Sequence, residues 1–218
     1  MRIYTPNEHH FFNQLVIFMG STVGLFLGLA AQTHGQIAGF LPNISYIFKG
    51  NPRVSNLEFK FYPYNFMQYF INQRWPERLE LHDAPLGSGA KSDPRLSFQA
   101  GSGAKSNPRL SLQVRGVSIF HKYITMSTFT HYYESIEPFI KNKHGGTTQR
   151  WPSVLNFGRI IRNACAHGGC INFKNQNANA VTWLTLTYSP ENNGQDIIIQ
   201  DISPVEMILL MEDMDSVL

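Results

Sequence analysis

The order of apolar and polar positions divides the chain into helical stretches toward both ends and a turn-rich middle. Thr5-Pro6-Asn7-Glu8 carries the marks of a helix start: a capping threonine, proline at the first helical position, and a glutamate placed to complete a capping box. A charge-free run from Leu15 to about Gln32 then predicts one long helix. Its uninterrupted apolar part, Leu15–Ala31, sits at the short end of the spanning range, Ser21 and Thr22 dilute it, and no Lys or Arg flanks it closely. With Glu8, His9 and His10 ahead of it, it fits a signal peptide poorly as well. It reads as a buried central helix rather than a membrane span. Gly20, Gly24 and Gly28 recur at every fourth residue. Each costs about 1 kcal/mol of helix propensity relative to alanine. The spacing therefore predicts a close helical neighbour, from the same chain or from its mate in a dimer.

Residues 33–62 alternate turns with short pieces, and Leu57-Glu58-Phe59-Lys60-Phe61 predicts one short strand. Tyr64–Gln73 reads as a helix with Phe66, Tyr69 and Phe70 as its stripe, ended by Trp75-Pro76. From Val114 to about Lys143 the helical period returns, with Ser127-Thr128 as a candidate break. A further helix starts near Trp151-Pro152-Ser153 and stops at Gly168-Gly169. Asn172–Asn179 reads as a polar linker, and Val181–Tyr188 and Gln195–Gln200 as two strands joined around Pro190–Gly194. Ser203-Pro204-Val205-Glu206 is a second capping box, opening a final helix with Val205, Ile208, Leu209 and Met214 on its apolar face. A hairpin so small needs the helices behind it. The expected architecture is mainly α: one domain over residues 1–218, a helical bundle with a small β-hairpin and final helix appended over 180–218.

One segment breaks the pattern. Leu86–Gln99 is followed directly by Ala100–Gln113, a tandem copy with three differences. Its Gly, Ser and Asp/Asn-Pro content predicts an exposed loop at 86–113, where a duplication is tolerated. The Gly-Ser-Gly-Ala-Lys-Ser wording fails as a phosphate loop, because Ala90 and Ala104 stand where the glycine before lysine is needed. Lys91, Arg95, Lys105 and Arg109 give it a basic character that fits a simply solvated loop first and the steering of a polyanion second.

A net charge of +3 with only 15% charged residues fits transient contact with a polyanion and falls short of a dedicated nucleic-acid binder. Two cysteines, Cys165 and Cys170, make no disulfide framework, so a reduced, cytoplasmic setting is expected. Cys165, His167 and Cys170 lack a fourth donor nearby, so no metal or other cofactor is expected.

The candidate chemistry lies in Arg159–Gly169. At about 100° per residue, Arg162, Arg159, Asn163 and His167 fall within an arc of roughly 140°, opposite Val154, Phe157, Ile161, Ala164 and Cys165. Cations in a last helical turn also suit the helix dipole, so this spacing alone fits either a site or an ordinary helix end. Were RNA the substrate, as the family resemblance given below implies, such a set would suit metal-free cleavage in the following roles. His167, with an unperturbed pKa near 6.5, takes the 2′-hydroxyl proton. Arg162 meets the charge gathering on the phosphate. Asn163 fixes the imidazole tautomer or bonds the substrate, and Arg159 grips a neighbouring phosphate.

Arg162-Asn163-Ala164-Cys165-Ala166-His167 resembles the Arg-polar-x-x-x-His signature of the HEPN superfamily, and its wording is closest to abortive-infection HEPN proteins. That resemblance implies a small helical bundle, a homodimer in which His167 of two chains shares one cleft, and metal-independent endoribonuclease activity of a toxin–antitoxin or phage-defence kind. The implied products are a 2′,3′-cyclic phosphate and a 5′-hydroxyl end, and the implied partners are RNA and an antitoxin or regulatory protein. The superfamily also has inactive members, so a non-catalytic module binding a nucleotide, RNA or protein through Arg162 and His167 is the alternative.

Overall fold

In the computed structural model, which describes residues 1–34, 44–61, 75–85, 97–100 and 115–218, the charge-free run forms α1 (Phe12–His34). The capping chemistry at Thr5 does not start this helix. It closes a separate turn, in which Thr5 Oγ1 donates to Glu8 Oε2 at 2.8 Å and the His9 amide bonds the Thr5 carbonyl at 3.1 Å. The turn is separate because Tyr4, at the end of β1 (Arg2–Tyr4), and Phe11 are both drawn into the core, with their rings edge-on at 5.3 Å. Phe12, Leu15, Val16, Phe18, Met19 and Val23 then bury one face of α1, each contributing roughly 1.5–3 kcal/mol. No helix among the described residues is long and apolar enough to cross a membrane. Gly24 is exposed with nothing within 4 Å of a would-be Cβ, so among the described residues no helix is seated against it.

Three more α-helices lie among the described residues: α2 (Arg115–His144), α3 (Ser153–Ala166) and α4 (Pro204–Asp215). α2 touches the other three. It runs unbroken through Ser127-Thr128. The nearby Thr125 hydroxyl is satisfied inside the helix, on the His121 carbonyl at 2.8 Å, and does not compete with the ladder. Tyr132 of α2 ties to α4 through the Met211 carbonyl (3.0 Å) and Asp215 (3.1 Å).

The strand at Leu57–Phe61 is present as β3, and it is the middle of a larger antiparallel sheet. With β2 (Ile44–Lys49), β4 (Leu79–Pro85) and β5 (Ser97–Ala100) the order is β1-β4-β3-β2-β5. Phe59 and Phe61 point into the core while Glu58 and Lys60 stay half-exposed, the alternation of a sheet covered on one face. β5 lies across the junction of the two tandem copies, so this part of the 86–113 segment is a paired strand instead of loop. The rest of that segment and the helix expected at Tyr64–Gln73 lie outside the described residues.

The C-terminal hairpin differs from expectation in register. β6 (Val181–Trp183) pairs with β7 (Leu186–Tyr188) around Leu184-Thr185, with Leu184 in the left-handed region at φ +49°. In one straight strand Trp183 and Tyr188 would face opposite sides. Folding back puts both beside Phe157, each with ring centroids 5.6 Å away. Gln195–Gln200 forms no strand: Ile197 and Ile198 are fully buried and Ile199 turns at φ +75°.

Two buried ionisable groups sit where sheet meets helices. Glu206 is wholly buried, and its carboxylate accepts the amides of Ser203 (3.1 Å) and Asn51 (2.8 Å) and the hydroxyls of Ser203 and Ser55. It thereby joins the α4 cap to the turn after β2. Gly50 in that turn has no room for a side chain, since a Cβ would sit 2.7 Å from Glu206 Oε1 and 2.9 Å from the Leu57 carbonyl.

His121 lies between the rings of Phe18 (5.5 Å) and Phe48 (6.1 Å), with Nε2 lacking a partner among the described residues. Burial pulls its pKa down to about 4. The unfolded chain binds this proton near pH 6.5 and the folded protein does not, so stability is complete above pH 6.5 and lost as pH falls toward 4. The full span corresponds to about 3 kcal/mol. Urea unfolding between pH 7 and 4.5 is expected to show a larger fall for wild type than for His121→Leu. Parallel curves would contradict this.

Candidate functional site

α3 is amphipathic because its two faces have different neighbours. Leu155, Phe157, Ile160, Ile161 and Ala164 are buried, and Gly158 lets α4 approach so closely that a Cβ would meet Met214 Cε at 2.7 Å. The opposite face carries Asn156, Arg159, Arg162 and Asn163, and all four line one cleft of about 860 Å³. Residues of α2, of the 148–151 turn and of the 172–182 segment line it as well. Two of these segments are tied down. Asn156 Nδ2 donates to the Thr148 and Trp151 carbonyls at 2.8 and 3.1 Å. Asn193 clamps Phe173, accepting from its amide at 2.6 Å and donating to its carbonyl at 3.2 Å.

The cleft is polar and tilted toward positive charge. Arg162 Nη2 donates to Glu134 Oε1 at 2.6 Å, and both side chains are half-exposed. Such a pair is worth under about 1 kcal/mol, so an incoming anion can displace it. Glu137, also on the cleft, is engaged by Lys141 at 3.1 Å. Arg159 has no hydrogen-bond or ion-pair partner among the described residues, and its Nε is buried. Lys174 adds a further cation, and Asn172, Asn175, Asn177 and Asn179 add amides. Tyr133 lines the cleft from α2. Burial, then the Glu137 charge, pushes its phenol above the ordinary range, while Arg159 and Arg162 pull it back.

His167 stands apart from these residues. It is the C-cap of α3, with φ −111° and ψ 35°, and its amide bonds the Asn163 and Ala164 carbonyls. Its imidazole is exposed, has no hydrogen-bond or ion-pair partner among the described residues, and does not line the cleft. The structure therefore gathers Arg159, Arg162 and Asn163 and leaves His167 just past the end of their helix. The reason is local: a residue at the cap has left helical geometry, so its side chain departs from the arc that helical spacing assigns. Gly168 follows at φ +71°, and the Gly169 amide returns to the Ala164 carbonyl at 2.8 Å, the closing bond of a Schellman turn. Gly169, at φ +98°, lies beneath the Lys122–Asp196 ion pair, which leaves no room for a Cβ.

Cys165 is not a nucleophile at neutral pH. Burial pushes its thiol up to about 12, against the pull of Arg162 and Lys122. Among the described residues no three His, Cys, Asp or Glu side chains converge as ligands of one metal would.

Spacing did not single out Tyr133, Asn156, Glu134 or the 172–179 segment. Their one signal is the density of amides in Asn172–Asn179, more than a linker needs. Comparison of the chain with protein-family models, with curated proteins and with solved structures gives no significant match.

Proposed function

We propose that the protein is a metal-independent endoribonuclease of HEPN type, acting on RNA held along α3. One observation supports this most: Arg159, Arg162 and Asn163 share a single open cleft whose lining is rich in amides, and Arg159 has no ion-pair partner among the described residues. An RNA backbone supplies the missing anions, and Asn side chains suit base and ribose edges. His167, exposed and unengaged at the helix end, takes the proton from a 2′-hydroxyl. The 2′-oxygen attacks the adjacent phosphorus, the bond from phosphorus to the 5′-oxygen breaks, and that oxygen leaves as a 5′-hydroxyl on receiving a proton. A second copy of the chain provides the acid as its own His167, so the active form is a homodimer. Arg162, released from Glu134, stabilises the charge on the phosphate. A toxin or phage-defence role, with a restraining partner protein, belongs to the same reading.

The position of His167 outside the cleft favours a second reading, in which the cleft binds RNA without cutting it. Incubation of the purified protein with RNA in EDTA separates the two. The nuclease reading expects fragments ending in 2′,3′-cyclic phosphate. Intact RNA that stays bound to the protein would leave the binding module.

A further inference from the structure

Two buried polar atoms of residues at the cleft lack partners among the described residues: Arg159 Nε, from α3, and Tyr133 Oη, from α2. Native proteins leave few buried donors unsatisfied, and each such group is costly to keep. Here two of them belong to residues that line the same cavity, and the Arg159 charge acts on the Tyr133 phenol. Tyr133 itself is only 3% exposed, so solvent does not satisfy it. A ligand that answers both donors must present acceptor oxygens, and beside a guanidinium with no ion-pair partner among the described residues it must be anionic. Asn172, Asn175 and Asn177, which also line the cleft, add donors and acceptors suited to a base or ribose attached to that anion. A phosphoryl group on a ribonucleotide meets all three requirements.

We propose that Tyr133 Oη and Arg159 Nε form a phosphate subsite in the cleft, with Tyr133 as a binding residue for RNA that the motif on α3 does not contain. Both atoms are covered in the free protein, so filling the subsite requires side chains at the cleft to shift, after which the phosphate takes one hydrogen bond from each helix. The subsite rests on the reading of the cleft as an RNA site, though not on cleavage.

The test uses the full chain and a short oligoribonucleotide carrying 2′-O-methyl groups, which cannot be cut. Fluorescence anisotropy compares wild type, Tyr133→Phe and Arg162→Ala, with AMP and inorganic phosphate as competitors. Tyr133→Phe is expected to weaken binding about tenfold, the value of one hydrogen bond to a charged group. Its thermal midpoint should hold or rise, because the deleted hydroxyl has no partner to lose. Competition by AMP at concentrations comparable with the oligonucleotide assigns the subsite to a terminal phosphate, and competition only at far higher concentrations assigns it to an internal phosphodiester. Unchanged affinity in Tyr133→Phe beside a loss in Arg162→Ala overturns the subsite alone. Failure of wild type to bind the oligonucleotide overturns the subsite together with the RNA reading beneath it.

Discussion

Replacing His167 with alanine is expected to lower RNA cleavage by roughly two to four orders of magnitude, the usual contribution of a positioned general base. The same change should leave folding stability within about 0.5 kcal/mol, because the imidazole is exposed and no described side chain bonds it. Arg162→Ala is expected to cut the rate comparably by removing the cation at the phosphate, and Arg162→Lys to restore only part of it, since an ammonium lacks the planar fork. Rates measured under single-turnover conditions, beside urea unfolding of each variant, check both statements. Cleavage by His167→Ala at the wild-type rate removes the imidazole from the mechanism.

The largest effect on stability is expected at Glu206. Four donors from two chain segments end on its buried carboxylate, two of them backbone amides that cannot turn away. Glu206→Ala strands these donors and opens a gap between α4 and the turn after β2. At about 1–3 kcal/mol for each of the two amides left unsatisfied, the loss is about 2–6 kcal/mol, a large share of a typical folding free energy. Glu206→Gln keeps the shape and one acceptor oxygen and should lose less. Urea denaturation gives both numbers directly. A change under about 0.5 kcal/mol in Glu206→Ala would show that water serves these donors equally well.

The described helices, apart from the start of α1, were legible in the sequence because their signals are local. Ser203-Pro204-Val205-Glu206 caps α4 as its wording predicts, with Glu206 bonded back to the Ser203 amide. α3 runs from Ser153 to Ala166, between the proline and the glycine pair that bound it. The sheet was legible only at Leu57–Phe61, where polar and apolar residues alternate. Its other strands are short and depend on partners distant in sequence, as β1 does on β4, with Tyr4 opposite Leu79 and Arg2 opposite Leu81. Pairing of that kind leaves little trace in a local window. The hairpin at 181–188 was visible as β-rich sequence, but its turn at Leu184-Thr185 carries no Gly, Asn or Asp to announce it.

The site divides in the same way. Arg159, Arg162 and Asn163 share a face because helical spacing is rigid, and the cleft receives them together. His167 escapes that geometry by one residue, where the helix has already ended. Tyr133 reads as core from its place in an apolar stripe, and the residue is indeed buried, hydroxyl included, beside a cleft lined by residues of both α2 and α3.

The central claim is that the face of α3 bearing Arg159 and Arg162 holds RNA phosphates. The salt dependence of binding to an uncleavable single strand tests it most directly, comparing wild type with the Arg159→Ala/Arg162→Ala double variant. Each phosphate contact on a single strand contributes a slope of about −0.7 in log K against log salt concentration, so losing two should flatten the slope by about 1.4. An unchanged slope and affinity in the double variant would contradict the claim.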